Sequence, residues 1–267
     1  MAKNSKMMLF TSFLLALLQT VCAQPSPVKI LFIGNSISSF NEMPDIFKQL
    51  ALGKNHLVSI QTLTFDGMRL NNYLNEVRVG ESLYVSVIDT IAYGNFNFVI
   101  IQDGLMVPVK PFEKTELFYN SVIKFDSVCK KHASQLIVFE PYPIPVFPKI
   151  YCGRSLLSNE MLCTETFFDE KQVLDSINVV FDRLRALNIT VAPIGDAFVS
   201  ASANHPTINL YADDEDFHPS AFGSYLMACV YYRTCFSGKL ESKVCIAENC
   251  SDALIAQSIA NEITIKN

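Results

Sequence analysis

Two residues far apart in the chain carry its sharpest chemical signal. Ser36 ends the stretch VKILFIGNS, where a run of strand-favouring apolar residues gives way to Gly34 and Asn35. His218 follows the acidic run Asp213, Asp214, Glu215 and Asp216, then Phe217, and is itself followed by Pro219. A serine hydroxyl is a poor nucleophile at neutral pH. It becomes a good one when an imidazole takes its proton and an acid fixes that imidazole's tautomer and orientation. Ser36 also has a plainer reading, as a turn residue after a strand. The setting of His218 favours the chemical one: Pro219 begins a helix whose Phe222, Tyr225, Leu226, Cys229 and Tyr232 form an apolar stripe. Such a loop-to-helix junction would let a nearby acid hold Nδ1–H and leave Nε2 for Ser36. His56, His132 and His205 lack that setting, and a surface role is expected for each.

Positioning these residues requires a scaffold, and the pattern supplies one. VKILFI, LVSIQTLTF, FNFVIIQ, QLIVFE and ITVAPI read as five strands. Helices are expected near MPDIFKQLAL, over SLYVSVIDTIAY, from about Lys114 to Lys131 and from about Lys171 to Leu187. In the first, Pro44 suits the opening turn, and Ile46, Phe47, Leu50 and Ala51 share a face. This alternation predicts a three-layer α/β/α sandwich with a mostly parallel five-stranded sheet. Functional residues then belong on loops at the carboxyl ends of the strands, where Ser36 stands. Residues 141–168 carry four prolines and no clear period, so a long inserted loop is expected there, either walling a cleft or held as a surface excursion by a Cys152–Cys163 bridge. The C-terminal SDALIAQSIANEITI places Leu254, Ile255, Ile259 and Ile263 on one stripe of a docking helix.

Composition narrows the function further. Lys3 and Lys6 precede the apolar run MMLFTSFLLALL, and VCA before Gln24 suits cleavage, so residues 1–23 are expected to be a secretory signal and residues 24–267 a single domain. No later segment is long and apolar enough for a membrane span. Cleavage takes the formal charge from -5 to about -7, against a nucleic-acid partner. Seven cysteines remain, an odd number that leaves at least one thiol unpaired within the chain. Cys152 with Cys163, or Cys245 with Cys250, would each close a short loop. No C-x-x-C pair occurs and the histidines are scattered, so neither a metal site nor another cofactor is expected. Periplasmic or extracellular localisation follows from export; oligomeric state does not follow from sequence.

A strand ending in GNS, together with an acid-x-x-His-Pro-Ser stretch before a late helix, resembles the SGNH hydrolases, the GDSL-like esterase and lipase superfamily. ILFIGNS and FHPSAFGSYLMA are similar to an exported bacterial branch of it, and the likeness spans about Lys29 to Gly238. It implies a flavodoxin-like SGNH hydrolase fold, with Ser36 as nucleophile and its N–H as one oxyanion donor. Gly67, in FDGMRLNNYL, matches the glycine that supplies a second donor. Two departures stand out. The family's third block offers an asparagine amide after the third strand, whereas this chain has IIQDGLM, making Gln102 the candidate donor. The family's aspartate, three residues before the histidine, is replaced by Glu215, flanked by Asp214 and Asp216.

The expected function is therefore an exported serine esterase acting on a small-molecule or carbohydrate ester. Its catalytic set is Ser36, His218 and Glu215, with an oxyanion hole of Ser36, Gly67 and Gln102. The alternative is a non-catalytic carbohydrate-binding or surface protein that keeps this fold after its acid and oxyanion blocks have drifted.

Overall fold

The computed structural model describes residues 26–79, 83–105, 112–144, 146–155, 158–212, 217–245 and 249–265. Residues 1–23, expected to be a signal, lie outside them. Strands β1 (Val28–Gly34), β2 (Val58–Thr64), β5 (Phe98–Ile101), β6 (Gln135–Phe139) and β9 (Thr190–Ala192) form one sheet in the order β2-β1-β5-β6-β9. Every pairing in it is parallel, with Ile30 opposite Ile60 and Phe98, and Ile101 opposite Val138. The order reverses direction between β1 and β5. In a doubly wound sheet the crevice at that switch point is where ligands bind.

Alternation along β1 divides the core. Ile30 and Phe32 pack toward α2 (Met43–Gly53), α6 (Ile194–Asn204), α7 (Ala221–Phe236) and α8 (Cys250–Glu262). Leu31 and Ile33 pack toward α3 (Val87–Gly94), α4 (Phe112–Lys131) and α5 (Glu170–Arg185). With apolar layers on both faces, β5 is buried from Val99 to Ile101, which explains its unbroken apolar run. Burying each such side chain contributes about 1.5–3 kcal/mol.

Four expectations needed revision. Only the second half of SLYVSVIDTIAY is helical: Leu83–Ser86 (β4) pairs antiparallel with Glu76–Val79 (β3), and Ser86 caps α3 by accepting the Asp89 N–H at 3.1 Å. β-branched Val85 suits a strand, and the capping serine marks the change of period. Residues 141–168 are not irregular throughout: Cys152–Arg154 (β7) and Met161–Cys163 (β8) form a small hairpin, and the Cys152–Cys163 bridge raised from the sequence does join it. The C-terminal helix packs Ile255, Ile259 and Ile263 against the core as expected, but Leu254 is 63% exposed, and Ala253, Ala256, Gln257 and Ala260 complete the contact face in its place. Finally, α7 is buried at every position from Phe222 to Tyr232, because α2, α6 and α8 surround it. A helix enclosed on all sides has no single apolar stripe.

Cys245 and Cys250 also form a disulfide, and Cys129, Cys229 and Cys235 are free. Among the described residues, no helix is long and apolar enough to cross a membrane.

Candidate active site

The turn that presents Ser36 is built from its own short side chains. Asn35 has extended backbone and caps the one-turn helix α1 (Ser36–Ser39), its Oδ1 accepting the Ile37 N–H at 3.2 Å. Its Nδ2 donates to the Met68 carbonyl at 3.2 Å, tying the turn to the segment after β2. Tyr73 donates its hydroxyl to the Gly34 carbonyl from below. Burial pushes that phenol well above its usual range, so it remains a proton donor. Ser36 thus emerges at the carboxyl end of β1, beside the switch point.

His218 reaches it from 182 positions away, with Nε2 2.8 Å from Ser36 Oγ. The imidazole lies between two rings: Phe40 is stacked at 4.6 Å between centroids and Phe217 at 4.7 Å. Several polar contacts hold the loop that carries it. Tyr142, fully buried, donates its hydroxyl to the Phe217 carbonyl at 2.9 Å, and the Ala212 N–H donates to the His218 carbonyl at 2.9 Å. Asn41 donates Nδ2 to the Pro219 carbonyl at 2.9 Å and contacts Ser224 Oγ at 3.0 Å. Asn41 and Glu42 hold φ values of 50° and 53°, a left-handed pair that costs roughly 1–2 kcal/mol per residue. Asparagine bears that conformation better than most residues, and strain of this kind persists where surrounding contacts fix it. The segment following the nucleophile is therefore clasped to the segment carrying the histidine.

A cavity of about 270 Å³ opens at this meeting point, lined by Asn35, Ser36, Gly67 and Arg69, with Leu105, Ile144 and Phe217 among its apolar walls. Gly67 has φ 67°, and a Cβ there would meet nothing within 4 Å. Handedness of the backbone, not crowding within the protein, is what requires glycine. Ile144 belongs to the proline-rich segment after β6, so that segment does contribute to the cavity wall. Gly34 is the crowded one: a Cβ would come 2.6 Å from Gln102 Oε1.

Gln102 corrects the expectation placed on it. Its side chain is turned beneath the nucleophile turn, where Oε1 accepts the Asn35 N–H at 2.9 Å and the Ser38 hydroxyl at 3.0 Å, and Nε2 donates to the Asp103 carbonyl. It is 1% exposed and does not line the cavity. An amide satisfied in this way braces the turn. Glu215, Asp214 and Asp216 lie outside the described residues. Away from the site, His56 stacks on Phe236 at 4.2 Å. Sequence reasoning missed Phe40, Asn41, Tyr142 and Arg69. Arg69 was within reach of it, two residues after Gly67 in FDGMRL; the others gain meaning only from contacts distant in sequence.

No protein-family model matches the sequence, nor does any curated protein. Solved structures do resemble the fold. A DUF4886 family protein from Bacteroides uniformis superposes with a TM-score of 0.63 at 14% identity, covering 88% of this chain and 94% of that one. Axe2, an acetylxylan esterase from Geobacillus stearothermophilus, superposes with a TM-score of 0.54 at 16% identity, covering 82% and 98%. At 14% and 16% identity the likeness is one of fold. Within this fold, the loops after β1 and before α7 bring Ser36 and His218 together.

Proposed function

We propose that this protein is an exported serine esterase that removes a small acyl group from a carbohydrate. The observation carrying the proposal is the 2.8 Å approach of His218 Nε2 to Ser36 Oγ beside a cavity. In the proposed cycle Ser36 Oγ bonds to the ester carbonyl carbon while its proton passes to His218 Nε2. The carbonyl oxygen becomes an oxyanion facing the N–H groups of Ser36 and Gly67, neither of which is donated to an acceptor among the described residues. Collapse breaks the bond to the alcohol oxygen, which takes the proton from Nε2. Water, deprotonated by the same nitrogen, then releases the acid and restores Ser36. The acidic run before His218 supplies the group that orients the imidazole, with Glu215 in the family position.

Support for a carbohydrate ester comes from the fold shared with Axe2 and from the export signal expected in the sequence. The cavity suits a small acyl group, given its size and its apolar walls. Purified protein should hydrolyse p-nitrophenyl acetate and release acetate from acetylated sugars, and Ser36→Ala should do neither. A fluorophosphonate probe should label Ser36 alone, with labelling lost in a His218 variant. Equal rates for wild type and Ser36→Ala, or labelling spread across several serines, would overturn the proposal in favour of a binding protein.

A further inference from the structure

With Gln102 turned beneath the Ser36 loop, the third oxyanion donor of the SGNH arrangement has no occupant from its usual place after β5. The remaining polar groups on the cavity wall can be counted through by their partners. Asn35 gives one Nδ2 N–H to Met68 and accepts from Ile37 at Oδ1, contacts that hold its amide in the nucleophile turn. The Gly104 N–H donates to Asp103 Oδ1 at 2.7 Å. Arg69 differs from both. Its Nε lies 3.8 Å from Asp103 Oδ1, its side chain is 35% exposed, and its guanidinium has no other partner among the described residues.

Asp103 explains why the guanidinium is there. This carboxylate is 6% exposed and directly follows Gln102 at the carboxyl end of β5. It draws a cation from the segment after β2 toward the place where the missing amide would act, on the cavity wall that also holds Ser36 and Gly67. A guanidinium stays charged throughout the working pH range and presents five N–H donors in a rigid fork. Facing a developing oxyanion, such a charged donor forms a stronger hydrogen bond than the neutral amide it replaces.

We infer that Arg69, steered by Asp103, is the third oxyanion donor of this site. The assignment rests on the esterase reading above. It competes with a different use of a cavity arginine, gripping a carboxylate carried by the substrate.

Three probes separate these cases: neutral p-nitrophenyl acetate, anionic 4-acetoxybenzoate, and phenylboronic acid, whose tetrahedral adduct with Ser36 carries the negative charge of the intermediate. Arg69→Met is expected to lower kcat on both esters by about 10²-fold while KM stays within about threefold, since the contact is made mainly near the transition state. Its affinity for phenylboronic acid should fall at least tenfold or so, and Arg69→Lys should recover part of each loss. Arg69→Gln repeats the test with polar volume retained should the methionine variant fold poorly, with circular dichroism reporting the folded state. Full kcat on p-nitrophenyl acetate without the guanidinium would overturn the assignment. A loss confined to 4-acetoxybenzoate would do so in favour of the carboxylate grip. Wild type indistinguishable from Ser36→Ala in turnover and boronate binding would remove the esterase reading and this assignment together. Ser36-dependent turnover that survives Arg69→Met removes the assignment alone.

Discussion

Two polar clusters stand at the carboxyl edge of the same sheet, and they have opposite relations to water. Around Ser36 and His218 the groups are half-buried and open on a cavity. Beyond the end of β6, Glu140 is fully buried: Arg185 Nη2 pairs with its Oε1, and the Asp196 N–H donates to its Oε2 at 3.2 Å. Arg185 also donates Nη1 to Asn178 and Asp182. Burial, helped by nearby Asp196 and opposed by Arg185, pushes Glu140 up to about 7. The two clusters draw on similar polar chemistry at the same level of the fold. The one reached by solvent can meet a substrate; the one sealed from it ties β6, α5 and α6 together.

Substitutions should therefore separate activity from stability. The largest effect is expected for His218→Ala, which should lower kcat/KM on p-nitrophenyl acetate by at least about 10³-fold, since nucleophile and base act as a unit. Its melting temperature should change little, because the ring is only half-buried. A variant that keeps a tenth or so of the wild-type rate would remove His218 from the chemistry. Arg185→Met should do the reverse. Leaving Glu140 buried without its cation should destabilise the protein by about 3–5 kcal/mol in urea unfolding, with turnover per folded molecule preserved. Wild-type stability in that variant would show that the pair is not a tie.

Glu140→Gln sharpens the same contrast through pH. The folded-state value near 7 lies above the ordinary 4.5 of this carboxyl. Between these values the folded protein holds a proton that the unfolded chain has released. The contribution from Glu140 is thus fully present below about 4.5, declines as pH rises through about 7 and is flat above it. The stability difference between wild type and Glu140→Gln should shift across that window in this direction by up to about 3 kcal/mol. A difference constant with pH would mean that Glu140 keeps an ordinary carboxylate value.

How much of this was legible in the sequence depended on whether the cause was local. The five strands and most of the helices follow from short apolar periods, and Ser36, Gly67 and His218 stand at strand and helix ends that those periods mark. Local signals failed where neighbours decided the outcome. Leu254 belongs to a plausible stripe, yet α7 presents a close surface that admits Ala253 and Ala256 instead. Gln102 has the chemistry of an oxyanion donor, but Gly34, by lacking a Cβ, leaves room for its carbonyl to turn beneath Asn35. The glycine of GNS carried that information without revealing that its partner is Gln102. Tyr142 and Asn41 act on the histidine segment through backbone carbonyls, a contact that leaves no residue-type pattern to read.

Asn41 offers the finest test of the contrast, because strain and clasp can be removed separately. Asn41→Gly keeps the left-handed backbone at little cost and deletes the donor to Pro219. Relief of strain should offset the lost hydrogen bonds, leaving stability within about 1 kcal/mol of wild type. The histidine segment would then be held to the nucleophile turn mainly by the Phe40 stack, and kcat should fall about tenfold with KM nearly unchanged, as expected of a group that positions a base. Asn41→Asp tolerates the same φ but sets a carboxylate oxygen against the Pro219 carbonyl, so its kcat should fall further. Should Asn41→Gly turn over at the wild-type rate, the clasp matters only for folding, and the approach of His218 to Ser36 is maintained by the aromatic rings and Tyr142 alone.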